Sequence, residues 1–289
     1  NSFSWAEWKR PFVVIVLTFL CTVMNSMLAM GEWPYMSTID HEATTSFLGY
    51  VAAASGIGHV IFAFVFAIWA QKVKGIKIPM LAGRILTLVT CFMYIFVEFI
   101  PSNRRWWMFV CYLLFGIGFG TSPLLRSYIA QVTSEENRST AYALQNGAML
   151  LSVIVGPISQ LSFAGLPYPG VIVIAPYIKL NIYTAPIWFA VLTNIIAIAI
   201  TAFLLEDTYN ETENDDESPS KFSFASIKDQ LVRIRDLNIP WILVALLIFQ
   251  KMVSTLFNST LQSVVGPMMT SMYALSGQQI VLLLGIVQV

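Results

Sequence analysis

Charge is what this chain has least of. Lys, Arg, Asp and Glu make up 11% of its 289 residues, where a soluble domain carries about 25%. So little charge cannot cover the surface of a water-soluble protein of this length, which excludes a soluble enzyme. Cysteine is scarce too: Cys21, Cys91 and Cys111 all lie inside apolar runs. An odd number at those depths gives neither a disulfide framework nor metal-ligand spacing. The sequence contains no P-loop, G-x-G-x-x-G, H-E-x-x-H or G-x-S-x-G pattern, so no cofactor, metal or catalytic residue is expected. Sixteen basic residues balance sixteen acidic ones, which leaves no field to recruit nucleic acid.

What fills the chain is apolar sequence: 57% of residues are hydrophobic and the mean hydropathy is +0.71. The runs are unbroken rather than alternating, which excludes a membrane β-barrel. A helix needs about 20 apolar residues to cross the hydrocarbon core. That ruler predicts spans at 11–31, 46–70, 79–100, 106–131, 139–163, 183–205 and 240–262, and the start of another from 279. The expected fold class is an all-α polytopic membrane protein. With no initiator Met and a short final run, it reads as a fragment of a longer protein.

Basic residues in the loops orient the spans. One side receives Lys9, Arg10, Lys72, Lys74, Lys77, Arg138, Lys221, Lys228, Arg233 and Arg235; the other receives Arg104, Arg105 and Lys179. The richer side is cytosolic, and the N-terminus lies on it. Residues 1–205 are expected to form a six-helix bundle, 206–239 a cytosolic linker, and 240–289 the first part of a second bundle. The linker opens with an acidic run from Glu206 to Glu217, read as a solvated tether. It continues with Phe222, Phe224, Ile227, Leu231 and Ile234 at the spacing of a short amphipathic helix. Two helical halves joined by a linker are a common plan of secondary transporters.

The segment Gly116 to Ala143 (GIGFGTSPLLRSYIAQVTSEENRSTAYA) resembles the fourth helix and following loop of the major facilitator superfamily. Gly156-Pro157, within Ser152 to Gln160 (SVIVGPISQ), resembles that superfamily's fifth-helix Gly-Pro motif. Thr45 to Val51 (TSFLGYV), Leu125 to Thr133 (LRSYIAQVT), Ile178 to Pro186 (IKLNIYTAP) and Met272-Tyr273-Ala274 are similar to the superfamily's domain-containing protein 8 group, also called the ceroid-lipofuscinosis neuronal protein 7 group. The resemblance implies a major facilitator fold, transport of a small solute, an endolysosomal membrane, and a cavity lined by helices one, four and seven. Two departures stand out. The loop after the second helix lacks the family's G-x-x-x-D-R-x-G-R-R pattern, and Tyr112 replaces the Arg four residues before Gly116. Both argue against ordinary proton-coupled exchange.

Gly116 and Gly120, a turn apart with Gly118 beside them, suit close helix approach, and Pro157 can bend the fifth helix. Static packing is the alternative for each motif alone; together with the longer stretches that resemble the subfamily, the transporter reading prevails. The spans also hold His59, Arg84, Glu98, Arg126 and Lys251, and a charge at a helix centre costs roughly 2.5–3.5 kcal/mol on insertion scales. Arg84 and Glu98 lie near span ends and are expected to snorkel to water. Lys251 is central and shares a face with Thr255, Asn258 and Gln262; Thr18, Thr22 and Asn25 form a comparable stripe on the first span. Lys251, Arg126, Asn258, Thr255, Asn25 and His59 are therefore the candidate solute-binding residues. Interhelical hydrogen bonding is the alternative for the stripes, a snorkelling anchor for Arg126, and a packing role for His59. With no carboxylate recognised at the same depth, the deep cations favour an anion as solute. A carrier is the leading reading, with an anion channel and a non-transporting scaffold as alternatives.

Three N-x-S/T patterns occur, at Asn137, Asn210 and Asn258. The predicted orientation puts the first two in the cytosol and the third in a membrane helix, so none is glycosylated. Glycosidase treatment should leave the mobility of this region unchanged; a shift would reverse the orientation.

Overall fold

The computed structural model describes residues 5–163, 165–166, 168–174, 178–207, 241–273, 279–280 and 283. Its helices are α1 (Trp5–Ile39), α2 (Thr45–Val73), α3 (Lys77–Ile95), α4 (Arg104–Phe119), α5 (Ser122–Val132), α6 (Glu135–Leu161), α7 (Ala185–Phe203) and α8 (Trp241–Tyr273). A 3-10 turn, Phe96–Phe99, extends α3. Between α6 and α7 an antiparallel hairpin pairs β1 (Val171–Ile174) with β2 (Ile178–Leu180); the apolar runs gave no sign of it, because it lies in a loop.

Six segments among the described residues are long and apolar enough to cross a membrane: 7–29, 45–73, 77–99, 104–132, 135–161 and 185–203. They coincide with the first six predicted spans. The seventh predicted span falls in α8, whose apolar part is Trp241–Phe257. The expected amphipathic segment at 222–234 and the acidic run beyond Asp207 lie outside the described residues. The chain divides into two compact units, one holding α1 to α7 and the other α8 as far as Val264.

The fourth predicted span is not one helix. Pro123 has no amide hydrogen to offer the Phe119 carbonyl, and the helix breaks over Gly120 and Thr121. The Gly120 amide tightens onto the Gly116 and Ile117 carbonyls, and α5 restarts with Leu124 N–H donating to Thr121 O at 3.1 Å.

Helices α1 and α6, α2 and α4, and α3 and α7 pack as pairs, with α3 also against α4 and α1 against α7. Glycines permit the closest approaches. A Cβ on Gly116 would meet the Ser55 backbone of α2, one on Gly118 the Thr87 side chain of α3, and one on Gly120 the Phe62 and Ala63 backbone of α2. A Cβ on Gly156 would strike Ser26 of α1; Pro157 is buried beside it, and α6 continues to Leu161. Two apolar clusters fill the bundle. One surrounds Val14, Leu17, Met80, Tyr128 and Ile129; the other surrounds Tyr35, Met36, Tyr94, Tyr112 and Ile182. Outside, large apolar side chains such as Tyr50, Phe64, Leu150 and Phe203 are bare, a surface that suits lipid and not water.

Polar contacts close both ends. Where α1 begins, Arg10 pairs with Glu206 at 2.9 Å, and Tyr128 OH donates to the Glu206 carbonyl at 2.6 Å. Asp207 Oδ1 accepts from Ile76 N–H at 2.8 Å and Lys77 N–H at 2.9 Å, capping α3 from 131 residues away. The acidic run therefore starts bound, which corrects its reading as a solvated tether at these two positions. At the far end, Glu98 accepts from Tyr35 OH and Asn181 Nδ2, each at 3.2 Å, so it is a tie between segments and not a free interfacial carboxylate. Arg105 pairs with Glu42 at 2.7 Å.

Gly116→Leu and Gly156→Val should each destabilise the protein by about 1–3 kcal/mol through overpacking, lowering its unfolding temperature in detergent. Gly49 and Gly147 face open space; alanine there should be neutral or stabilising by up to about 1 kcal/mol. Equal effects at all four positions would show that these contacts do not limit helix approach.

Candidate functional site

Helical geometry divides the polar stripe of α1 between two faces. Thr18 is buried; its hydroxyl donates to Val14 O at 2.8 Å and accepts from Gln145 Nε2 of α6 at 3.1 Å. Ser26 likewise faces α6, donating to Ser152 O at 3.1 Å. Thr22 is half-buried and Asn25 exposed, so only these two members of the stripe present polar groups to the open side. Seven residues beyond Asn25 comes Glu32, also half-buried. Seven residues are two helical turns, which puts Glu32 on the Asn25 face. The sequence reading missed this carboxylate because it sits one residue past the predicted span. The i, i+7 relation to Asn25 was the available signal.

Arg126 is exposed on α5. Its Nη2 reaches Asn146 Oδ1 of α6 at 3.4 Å and Met149 Sδ at 3.5 Å, while Tyr142 OH donates to its carbonyl at 3.2 Å. The guanidinium thus leans across α6, and α5 and α6 both pack against α1. His59 is half-buried on α2 and makes no hydrogen bond among the described residues.

Lys251 and Thr255 are exposed on α8. Thr255 Oγ1 donates to Lys251 O at 2.8 Å, so its hydrogen is committed to the helix backbone and only its lone pairs remain available. Asn258 lies on the same helical face by spacing; its side chain is outside the described residues. Each of the two units therefore carries its own polar face: Asn25, Thr22, Glu32 and the Arg126–Asn146 pair in one, Lys251 and Thr255 in the other.

Sequence position misjudges Arg84. It lies about 10 Å from the start of α3 at 1.5 Å per residue, near enough to snorkel, yet it is only 1% exposed. Its Nη2 donates to Thr121 Oγ1 at 3.2 Å, and its backbone carbonyl accepts from Asn194 Nδ2 of α7 at 2.9 Å. Its side chain turns inward because that face of α3 packs on α4 and α7 and meets Thr121. Gln145, Gln160 and Asn194 are also buried polar residues that a scan of ionisable groups could not reveal. No group of three or more His, Cys, Asp or Glu able to hold a metal occurs among the described residues. In the loops beyond the spans, burial pushes the Tyr168 and Tyr183 hydroxyls above the usual tyrosine range, helped at Tyr168 by the charge of Glu98.

The bundle recurs in known proteins. The structure superposes on a D-xylose–proton symporter with a TM-score of 0.66 at 13% identity, covering 99% of this chain and 66% of that one. It superposes on the nucleoside transporter NupG with a TM-score of 0.56 at 15% identity, covering 96% and 64%. In sequence the chain is similar to the major facilitator superfamily domain-containing protein 8 of Xenopus laevis, 27% identical over 181 residues. The match spans 63% of this chain and 35%, about a third, of that relative. The model of the Major Facilitator Superfamily matches residues 15–289, so with its sequence and its fold in agreement the chain belongs to that superfamily.

Proposed function

We propose that the protein carries a small solute, with an anion favoured, across an endolysosomal membrane, and that its N-terminus is cytosolic. The observation that carries the reading is the open polar face of α1, where Thr22, Asn25 and Glu32 interrupt an otherwise apolar exterior. A helix facing lipid has no use for these groups; a helix facing a solute path does. The anion preference rests on Lys251, in the apolar part of α8, and on Arg126. The membrane assignment rests on resemblance to the domain-containing protein 8 group, and the orientation on ten basic residues against three in the loops. An anion channel on the same fold is the nearest alternative, and a scaffold that binds partners through residues 206–236 is the other.

Glu32 favours a second reading. A carboxylate on the pathway face meets an anion unfavourably unless it is protonated, so a proton or other cation moving with the solute would fit it. In that case Glu32→Gln abolishes the pH dependence of flux and leaves pH-independent exchange in place.

The full-length protein in proteoliposomes provides the test, with chloride and phosphate compared as solutes. Lys251→Met keeps the stem and removes the charge, so flux should fall about tenfold or more, equivalent to ~1.4 kcal/mol of lost stabilisation. Lys251→Arg should retain part of it. Normal flux in Lys251→Met would remove Lys251 from the site. Saturation with counter-transport marks a carrier, single-channel currents mark a channel, and neither marks a scaffold. On a cysteine-free background, Asn25→Cys should react with a membrane-impermeant thiol reagent while Thr87→Cys, at a fully buried position, should not. An inert Asn25→Cys would turn that face of α1 to lipid.

A further inference from the structure

The end of the bundle where α1 begins holds a cavity of about 520 Å³ between the first turn of α1, the α5–α6 turn and Glu206. That lies within the usual size of a ligand pocket, about 300–1,000 Å³. Glu7, Lys9 and Arg10 line it together with Ser134, Asn137 and Glu206, none of which the transport reading places on a solute path.

The lining carries both signs in balance. Lys9 and Arg10 are its cations, and Glu7 and Glu206 its carboxylates. Arg10 directs Nε and Nη2 to a single oxygen, Glu206 Oε2, at 3.0 and 2.9 Å. Oε1 of the same carboxylate therefore keeps its lone pairs for another donor. Ser134, the residue before α6, does not spend its hydroxyl on capping that helix. Donors on Lys9, Ser134 and Asn137 thus face acceptors on Glu7 and Glu206. An anion alone would meet the carboxylates, and a cation alone the lysine and arginine. A ligand that carries both charges a short distance apart complements the whole lining.

Position narrows the ligand further. The first membrane-spanning segment starts at Glu7, so the cavity sits at the membrane edge. Trp8 also lines it, and tryptophan collects at headgroup level. Below the cavity runs an apolar track. Phe12 is 50% exposed, Val16 and Phe19 are half-buried, and all three follow Trp8 on one face at helical spacing. From Trp8 to Phe19 is about 16 Å along the helix at 1.5 Å per residue, the depth of one leaflet of a hydrocarbon core about 30 Å thick. We infer that the cavity seats the headgroup of a zwitterionic phospholipid, choline or ethanolamine, with an acyl chain along Phe12 to Phe19. The phosphate lies toward Lys9, Ser134 and Asn137, and the amine toward Glu7, Glu206 Oε1 and the indole face of Trp8. Because Arg10 holds Glu206 and Tyr128 donates to the Glu206 carbonyl, a seated headgroup braces the ends of α1 and α5 against the chain after α7. The site lies within the α1–α7 unit and stands independently of the transport reading.

The test uses the full-length protein, delipidated in detergent and then supplied with dioleoyl phosphatidylcholine, phosphatidylethanolamine or phosphatidylglycerol. Native mass spectrometry counts the retained lipid, and tryptophan fluorescence follows unfolding. Wild type should retain the zwitterionic lipids about tenfold more strongly than phosphatidylglycerol, and they should raise its unfolding temperature in a saturable way. Glu7 and Lys9 are exposed, so their variants should fold. Lys9→Gln should weaken zwitterionic retention about tenfold. Glu7→Gln leaves the lining net positive and should turn the preference toward phosphatidylglycerol. Equal retention of the three lipids by wild type marks an unselective lipid shell and overturns the site. Unchanged retention in Lys9→Gln, or an unchanged preference in Glu7→Gln, overturns it as well. Displacement of the lipid by an equal concentration of soluble phosphocholine or phosphoethanolamine would give the cavity to a free metabolite and overturn the lipid assignment.

Discussion

Inside a bilayer there is no water to satisfy a backbone group or a charge, so every polar atom must find its partner within the chain. The rest of the structure answers to that constraint. It makes the spans helical, confines the hairpin β1–β2 to a loop, and turns Thr, Ser and Gln side chains of α1 and α6 toward one another and away from lipid. It also explains why glycine is placed at helix crossings. Without a hydrophobic drive between apolar helices, association depends on close packing. Gly116, Gly118, Gly120 and Gly156 are where neighbouring chains come nearest.

The constraint is also visible where it is strained. Pro123 removes one donor from the fourth span, the helix breaks, and the break falls beside Arg84. A broken helix and a buried cation would each be costly alone. Together they are partly complementary, since Thr121 at the break offers an acceptor to a guanidinium that needs several. The fourth span therefore carries its irregularity where its neighbour α3 buries a cation.

Much of this was legible in the residues, and the exceptions have physical causes. Apolar length alone places six spans, because a helix must be long enough to cross the core whatever it packs against. The Gly-rich and Gly-Pro segments indicate the superfamily that the family model then matches over residues 15–289. Length along a helix is readable from sequence, but rotation about its axis is not when the helix is apolar on all sides. Arg84 was misjudged for that reason: its distance from the end of α3 allows snorkelling, while its direction forbids it. Glu32 was missed for the converse reason, since its face was readable from Asn25 but the edge of the span was drawn too early. Thr18 parted from Thr22 and Asn25 because a stripe one face wide still has two flanks, and α6 claimed one of them.

The cap on α3 lies further beyond sequence reasoning. The loop between α2 and α3 lacks the acidic residue of the family pattern, yet a carboxylate is there. Asp207, just after α7, binds the first amides of α3, packing over Gly75 where a side chain would collide with it. Such a cap is worth typically ~1 kcal/mol, and the charge gains further from the helix dipole. Glu206 beside it holds Arg10 of α1 and the Tyr128 hydroxyl of α5. One dipeptide thus joins the ends of α1, α3, α5 and α7, and it is also where the chain leaves the bundle toward α8. The carboxylate that caps α3 therefore comes from a residue 131 positions away in the chain, which no local pattern in the loop could show.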